Sequence, residues 1–283
     1  MSSTVNRRQW LTLLAAGTAA VLSGCDASHG VSIPGAGANH LVKGVPSQTA
    51  VPTTSVLPTT RVAAPLLPPP PGGPKARLTR RTLTALPGKG NNLALTVDDG
   101  ADAAVVGAYI KFAQDTGARF TFFVTASYNS WIVHRDALRP LVESGQIQLG
   151  NHTWDHPALT RLSTAGVAGQ LERTKTFLRN NFGVDGTPFY RPPYGFHNAT
   201  VDRIAAEHGY TVPTLWYGSL SDSSIVTEQY LIQMAHQYFN PQAIVIGHAN
   251  HPAVTHCYNQ MVDVIKERKL SMVTLNDVTV PPA

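Results

Sequence analysis

The chain has 283 residues, 43% of them hydrophobic and 14% charged, enough to bury one sizeable core. Its net charge of +5 is small and scattered, which excludes the dense basic surface that a nucleic-acid-binding module presents.

The first segment, "MSSTVNRRQW", carries Arg7 and Arg8 and no acid, and the apolar run "LTLLAAGTAAVL" follows at residues 11–22. That run is too short for an ordinary membrane-spanning helix. "LSGC" comes next, with Ser23 and Gly24 before Cys25. The segment resembles a bacterial lipoprotein signal, in which the cysteine is lipidated and becomes the new N-terminus. "RRQWL" also resembles a twin-arginine export signal, with Trp10 where Phe is more usual, so Sec and twin-arginine export both stay open. The expectation is a signal peptide over residues 1–24 and an exported protein. Lipidated Cys25 would anchor it to the outer side of the bacterial cytoplasmic membrane, facing the cell wall. Removing residues 1–24 takes away two arginines and no acid, lowering the net charge from +5 to +3. A mildly basic exported protein is attracted to anionic envelope polymers or lipid surfaces. With Cys25 lipidated, Cys257 has no partner in the chain, and no internal disulfide is expected.

Residues 25–78 read as a disordered tether. "VPSQTAVPTTSVLPTT" and "APLLPPPPGGPK" are rich in Pro, Thr and Ser and have no helical or strand periodicity. Such a segment buries too little surface to offset its ordering entropy, and its Pro-rich part is extended and semi-stiff.

Residues 79–283 read as one folded domain. Short β-rich runs alternate with helix-like stretches: "LALTV", "AAVVGAYIKFAQDTG", "RFTFFVT", "HRDALRPLVESG", "QIQLG", "AGVAGQLERTKTFLRNNFG", "FYR", "VDRIAAEHG", "TVPTLW", "YLIQMAHQYF", "AIVIGH", "QMVDVIKERK" and "LSMVTL". In "VAGQLERTKTFL", Val167, Leu171, Thr174 and Leu178 recur at helical spacing. Strands separated by helices imply crossover connections and a largely parallel sheet. Six or seven such units fit an α/β fold closed, or nearly closed, into a (β/α) barrel, with its active site at the C-terminal strand ends.

Those ends carry chemistry. "LALTV" runs into Asp98, Asp99 and Gly100; "QIQLG" into Asn151–His152–Thr153–Trp154–Asp155–His156–Pro157; "PFY" into Arg191–Pro192–Pro193–Tyr194–Gly195; and "AIVIG" into His248. His152 and His156 are four apart, so in a helical turn both imidazoles share a face. Two histidines and one carboxylate of the Asp pair supply three protein ligands with a position left open, the pattern of a catalytic metal. The second carboxylate is then free to act as a base. Spacing alone leaves open which aspartate does which.

Taken together, "TVDDG" (96–100), "NHTWDHP" (151–157), "RPPYG" (191–195) and "IVIGH" (244–248) resemble the successive signature motifs of the metal-dependent polysaccharide deacetylases, carbohydrate esterase family 4, also known by its NodB-homology domain. Order and spacing match over nearly all of residues 90–276, and Val97 is the one departure within "TVDDG". The resemblance implies a distorted, seven-stranded (β/α) barrel and a hydrolase that removes N- or O-acetyl groups from envelope polysaccharide, with peptidoglycan N-acetyl sugars as the first expectation. It implies a divalent metal, Zn2+ ahead of Co2+ or Mn2+, held by Asp99, His152 and His156. Asp98 would be the general base and Arg191 the residue that orients it. The backbone N–H of Tyr194 would donate to the developing oxyanion, and His248 would be the general acid.

One segment departs from the pattern. After Trp216 the family has an aspartate and then an Asp–Trp pair, whereas this chain reads "YGSLSDSS". Ser219 then takes the first Asp position, Asp222 remains as a candidate partner for His248, and Ser223 replaces the tryptophan. Tyr194, Trp216 and Tyr217 are candidate sugar contacts; Trp154, Phe196 and His251 also lie near strand ends. Two other functions fit less of the pattern: a small amide or ester hydrolase on the same fold, and a non-catalytic glycan-binding lipoprotein.

Overall fold

A computed structural model describes residues 65–283. The expected signal segment, Cys25 and most of the expected tether lie outside the described residues. Ordered structure begins before residue 79, where the domain was expected to start. Leu67 is buried and its N–H bonds the carbonyl of Thr116, and the short strand β1 (Ala76–Arg77) pairs with a C-terminal strand at Thr279–Val280.

The elements then alternate as the apolar runs imply. β2 (Asn92–Asp99) leads through α1 (Ala103–Thr116) to β3 (Phe120–Val124). α2 (Ser130–Val133) and α3 (Arg135–Glu143) precede β4 (Ile147–Asn151), and the long α4 (Thr164–Phe182) precedes β5 (Phe189–Tyr190). α5 (Ala199–Glu207), β6 (Val212–Pro213), β7 (Gly218–Ser219) and α6 (Glu228–Tyr238) lead to β8 (Ala243–His248). α7 (Tyr258–Glu267), β9 (Ser271–Met272), α8 (Leu275–Val278) and β10 (Thr279–Val280) finish the chain.

Seven strands form one parallel path in the order β6-β5-β4-β3-β2-β8-β7, and β9 joins the beginning of β2. The path curls as a half-barrel, with no ladder between β6 and β7 among the described residues. Proline accounts for the shortness of the β5–β6 side. Pro192 follows β5 and Pro213 ends β6, and a residue without an N–H cannot extend a ladder, so β6 forms the sheet edge.

Alternation along the long strands divides the core in two. Leu93, Leu95, Val97, Phe120, Phe122 and Val245 face the helices, whereas Ala94, Phe123, Phe189, Val212 and Ile244 face the inside of the curl. α4 behaves as its spacing predicts: Val167, Leu171, Thr174 and Leu178 are all buried, Ser163 caps its start and Gly183 (φ 73°) ends it in the left-handed region.

Candidate active site

β2 carries its chemistry on its last two residues. In a regular strand Asp98 and Asp99 would face opposite sides. Here Asp99 has φ 71° and Gly100 φ 92°, so the chain turns sharply and both carboxylates line one cleft. Trp131 holds that turn. Its Nε1–H reaches the carbonyls of Asp99 (3.2 Å) and Thr125 (3.1 Å), and its ring lies where a side chain on Gly100 would have to go. A left-handed turn thus brings both acids onto the same side.

Asp98 meets Arg191, the residue after β5. The guanidinium lies 2.6 Å from Asp98 Oδ1; both side chains are buried, Arg191 at 0% and Asp98 at 2% exposure. Arg191 also donates to Thr96 Oγ1 and to the carbonyls of Thr214 and Leu215, and stacks 4.2 Å above the Phe123 ring. This buried cation is therefore paired and hydrogen-bonded on several sides, as burial of a charge demands.

The two histidines come together without a helix, contrary to the expectation from their spacing. Residues 152–156 form a loop in which Thr153 (φ 71°) and His156 (φ 63°) are left-handed. Asn151 Oδ1 accepts from the Thr153 N–H, and Gln170 of α4 accepts from the N–H groups of Trp154 and Asp155. The imidazoles end 4.8 Å apart between ring centres. His152 Nε2 lies 3.4 Å from both Asp98 Oδ2 and Asp99 Oδ1, and His156 Nε2 lies 3.4 Å from Asp99 Oδ1. Asn250 Nδ2 donates to the other Asp99 oxygen at 2.7 Å.

This donor set fits a divalent metal. His152 Nδ1 lies 2.7 Å from the carbonyl oxygen of Arg191, which can only accept, so Nδ1 carries the proton. In neutral His152 the Nε2 lone pair then faces carboxylate oxygens, and a cation between them removes the repulsion. Ligand atoms of Asp99, His152 and His156 all lie within 4.8 Å of one another. The 3.4 Å separations match the edge of a tetrahedron whose bonds are about 2.0–2.1 Å long, as at zinc. The charged groups of the site also act on one another. Burial would raise the Asp99 carboxyl, yet His152 and His156 outweigh it and hold it well below the usual carboxylate range. Burial would lower His152, yet Asp98 and Asp99 outweigh it and push it up. Burial and then the charge of His152 lower His156.

On the other wall Asp222 takes hold of His248 twice, accepting its backbone N–H at 3.1 Å and contacting Nδ1 at 3.0 Å. Burial disfavours the imidazolium, but the hydrogen bond and charge of Asp222 outweigh it and raise the pKa of His248. With Nδ1 engaged, Nε2 is the nitrogen left for the cleft. Tyr194 has φ 60°, stands 61% exposed with its ring 4.7 Å from that of His156, and its backbone N–H donates to none of the described residues.

The cleft has a volume of about 630 Å³. Asp98, Asp99, His152, His156, Tyr194, Trp216 and His248 line it, and Ser219 and Ser223 occupy the altered segment's side. Tyr217 does not line it; its ring packs on Tyr238. Trp154 turns away toward α4, where Arg173 lies 4.2 Å above its ring. His251 caps a short turn, and its neighbour Asn250 is the residue that reaches the site. Sequence reasoning missed Asn250, Thr125, Tyr128 and Trp131. Of these, Asn250 alone carried a usable signal, standing two residues past a strand exit.

Residues 85–213 match the family described as polysaccharide deacetylase, a span that ends before Asp222 and His248. The peptidoglycan-N-acetylglucosamine deacetylase PgdA of Listeria monocytogenes is 28% identical over 210 residues, which cover 72% of this chain and 40% of that protein. The chain thus aligns with well under half the length of that relative. A family 4 carbohydrate esterase from Streptomyces lividans, solved in complex with acetate, superposes with a TM-score of 0.58 at 22% identity, over 69% of this chain and 100% of that one. A CE4 family pseudoenzyme from Bacillus anthracis superposes with a TM-score of 0.63 at 17% identity, over 73% of this chain and 72% of that one. Both likenesses are of fold. With the motif residues assembled around one cleft and the family match covering its first three motifs, residues 85–213 are similar to the polysaccharide deacetylase family.

Proposed function

We propose that this chain is a metal-dependent deacetylase of acetylated envelope polysaccharide, peptidoglycan N-acetyl sugars first among them, held at the membrane through lipidated Cys25. The observation that carries the chemistry is the arrangement at His152: its Nδ1–H is committed to the Arg191 carbonyl, and its Nε2 faces two carboxylate oxygens at 3.4 Å. Asp99, His152 and His156 would hold the metal, which when bound supplies Lewis acidity toward the acetyl carbonyl and the attacking water.

The remaining steps belong to side chains. Arg191 engages Asp98 Oδ1 and holds the carboxylate in place, leaving Oδ2 to take the proton of the attacking water. The backbone N–H of Tyr194, with no other acceptor among the described residues, donates to the oxygen on which negative charge develops. His248, whose pKa Asp222 raises, delivers a proton from Nε2 to the leaving amine nitrogen as the carbon–nitrogen bond breaks. Acetate and the free amine result. Asp98 ends protonated and His248 neutral, and proton exchange with solvent resets both.

The test is acetate release from purified protein on N-acetylated chito-oligosaccharides, peptidoglycan and O-acetylated glycans, before and after chelation. The reading requires release that chelator abolishes and added Zn2+, Co2+ or Mn2+ restores. No release from any substrate in the presence of metal, or release that chelator leaves intact, contradicts it.

A further inference from the structure

Two hydroxyls in the layer between β8 and the helices are buried with no hydrogen-bond partner among the described residues: Tyr109 Oη on α1 and Tyr258 Oη on α7. Native interiors pair nearly all such groups, because an unpaired one keeps its full desolvation penalty. The two rings lie 5.3 Å apart. Alternation along β8 turns Gly247 toward this same layer, as it does Val245. A Cβ on Gly247 would lie 3.3 Å from Tyr109 Oη and 3.4 Å from Asp222 Oδ2. The hydroxyl and the carboxylate therefore approach one glycine, beside Leu220 Cδ1 at 3.1 Å from the same point.

Asp222 has acceptor capacity to spare. It is buried and takes one hydrogen bond at each oxygen, both from His248, whereas an ionised carboxylate offers about four acceptor positions. Burial, then Tyr258 and Asp222, push the Tyr109 phenol well up, so it keeps its proton and enters as a donor.

We propose that Tyr109 is a positioning residue for proton delivery: its hydroxyl donates, through one bridging water beside Gly247, to the free side of Asp222 and so fixes the carboxylate that orients His248. Tyr258 joins the same hydrogen-bonded chain from α7. The catalytic consequence rests on the deacetylase reading above; the hydrogen bond itself does not.

The test compares the zinc-loaded full chain with Tyr109→Phe and Tyr258→Phe. A hydroxyl bonded to nothing can be removed without loss, and its removal leaves the melting temperature equal or higher. A bonded one lowers it. The proposal therefore expects Tyr109→Phe to melt lower and to shift the Nδ1–H proton resonance of His248. It expects kcat on an N-acetylated chito-oligosaccharide to fall roughly three- to tenfold at unchanged KM, part of what a positioned acid supplies. The loss on an aryl acetate, whose phenolate leaves without protonation, should be several times smaller. An unmoved His248 signal with an equal or higher melting temperature overturns the proposal, and so does an equal loss on both substrates, which marks a merely structural role. If the parent chain releases acetate from neither substrate, the deacetylase reading falls, and melting temperature and the His248 signal alone decide the hydrogen bond.

Discussion

The carbonyl oxygen of Arg191 accepts the Nδ1–H of His152 at 2.7 Å, while the guanidinium of the same residue holds Asp98 at 2.6 Å. One residue thus sets the tautomer of a proposed metal ligand and the position of the proposed base. The backbone does the first task and the side chain the second, so substitution separates them.

Arg191→Met should leave the Asp98 carboxylate buried without its cation while the carbonyl that orients His152 stays. Breaking a buried pair on one side costs about 3–5 kcal/mol. Urea denaturation is expected to show that loss, and a stability within 1 kcal/mol of the parent would mean that Asp98 finds other support.

The pair at His248 predicts a pH effect. Its pKa is raised because Asp222 outweighs burial. A general acid works only while protonated, so activity falls as pH rises through that pKa. Asp222→Asn still accepts from the backbone N–H but removes the charge, which lowers the pKa. The alkaline limb of the kcat profile should therefore move to lower pH. A limb that stays in place, or moves up, would exclude Asp222 as the partner that tunes His248.

At the end of β2, Gly100 has φ 92° and a Cβ there would lie 2.3 Å from Trp131 Cζ2. Gly100→Ala should cost about 2 kcal/mol or more, combining left-handed strain with displacement of a buried indole. A thermal melt checks it, and unchanged stability would show that the turn relaxes freely.

The proposed anchor has its own test. Cys25→Ala should release the protein from membranes into the soluble envelope fraction, because lipidation is the attachment proposed. Fractionation with membranes at the parent's level would exclude Cys25 as the anchor.

The apolar runs at 93–97, 120–124 and 243–247 are legible as strands because burial on both faces demands continuous hydrophobicity. The two-residue strands β5, β6 and β7 are harder to bound, since prolines and glycines stop their ladders almost at once. At the site, residue types and order suffice to select Asp98, Asp99, His152, His156, Arg191 and His248. The backbone that unites them is not legible. Left-handed φ at Asp99, Thr153 and His156 falls on residues with no glycine to announce it, and tertiary contacts from Trp131, Asn151 and Gln170 hold those turns. The spacing of His152 and His156 therefore suggested a helical turn where a loop stands. Asp222 was visible as a candidate, but its double grip on His248 depends on a fold that joins residues 26 apart.

The central claim is that the two carboxylates of "DDG" divide the work, Asp99 toward the metal and Asp98 toward the proton. Zinc titration of Asp98→Asn and Asp99→Asn, with bound metal and acetate release followed together, tests this most directly. Asp98→Asn should keep zinc bound at one equivalent while turnover falls by roughly two to four orders of magnitude, and excess zinc should not restore it. Asp99→Asn should bind zinc weakly and regain part of its activity when zinc is in excess. The reverse pattern, or equal rescue of both variants, would contradict the division.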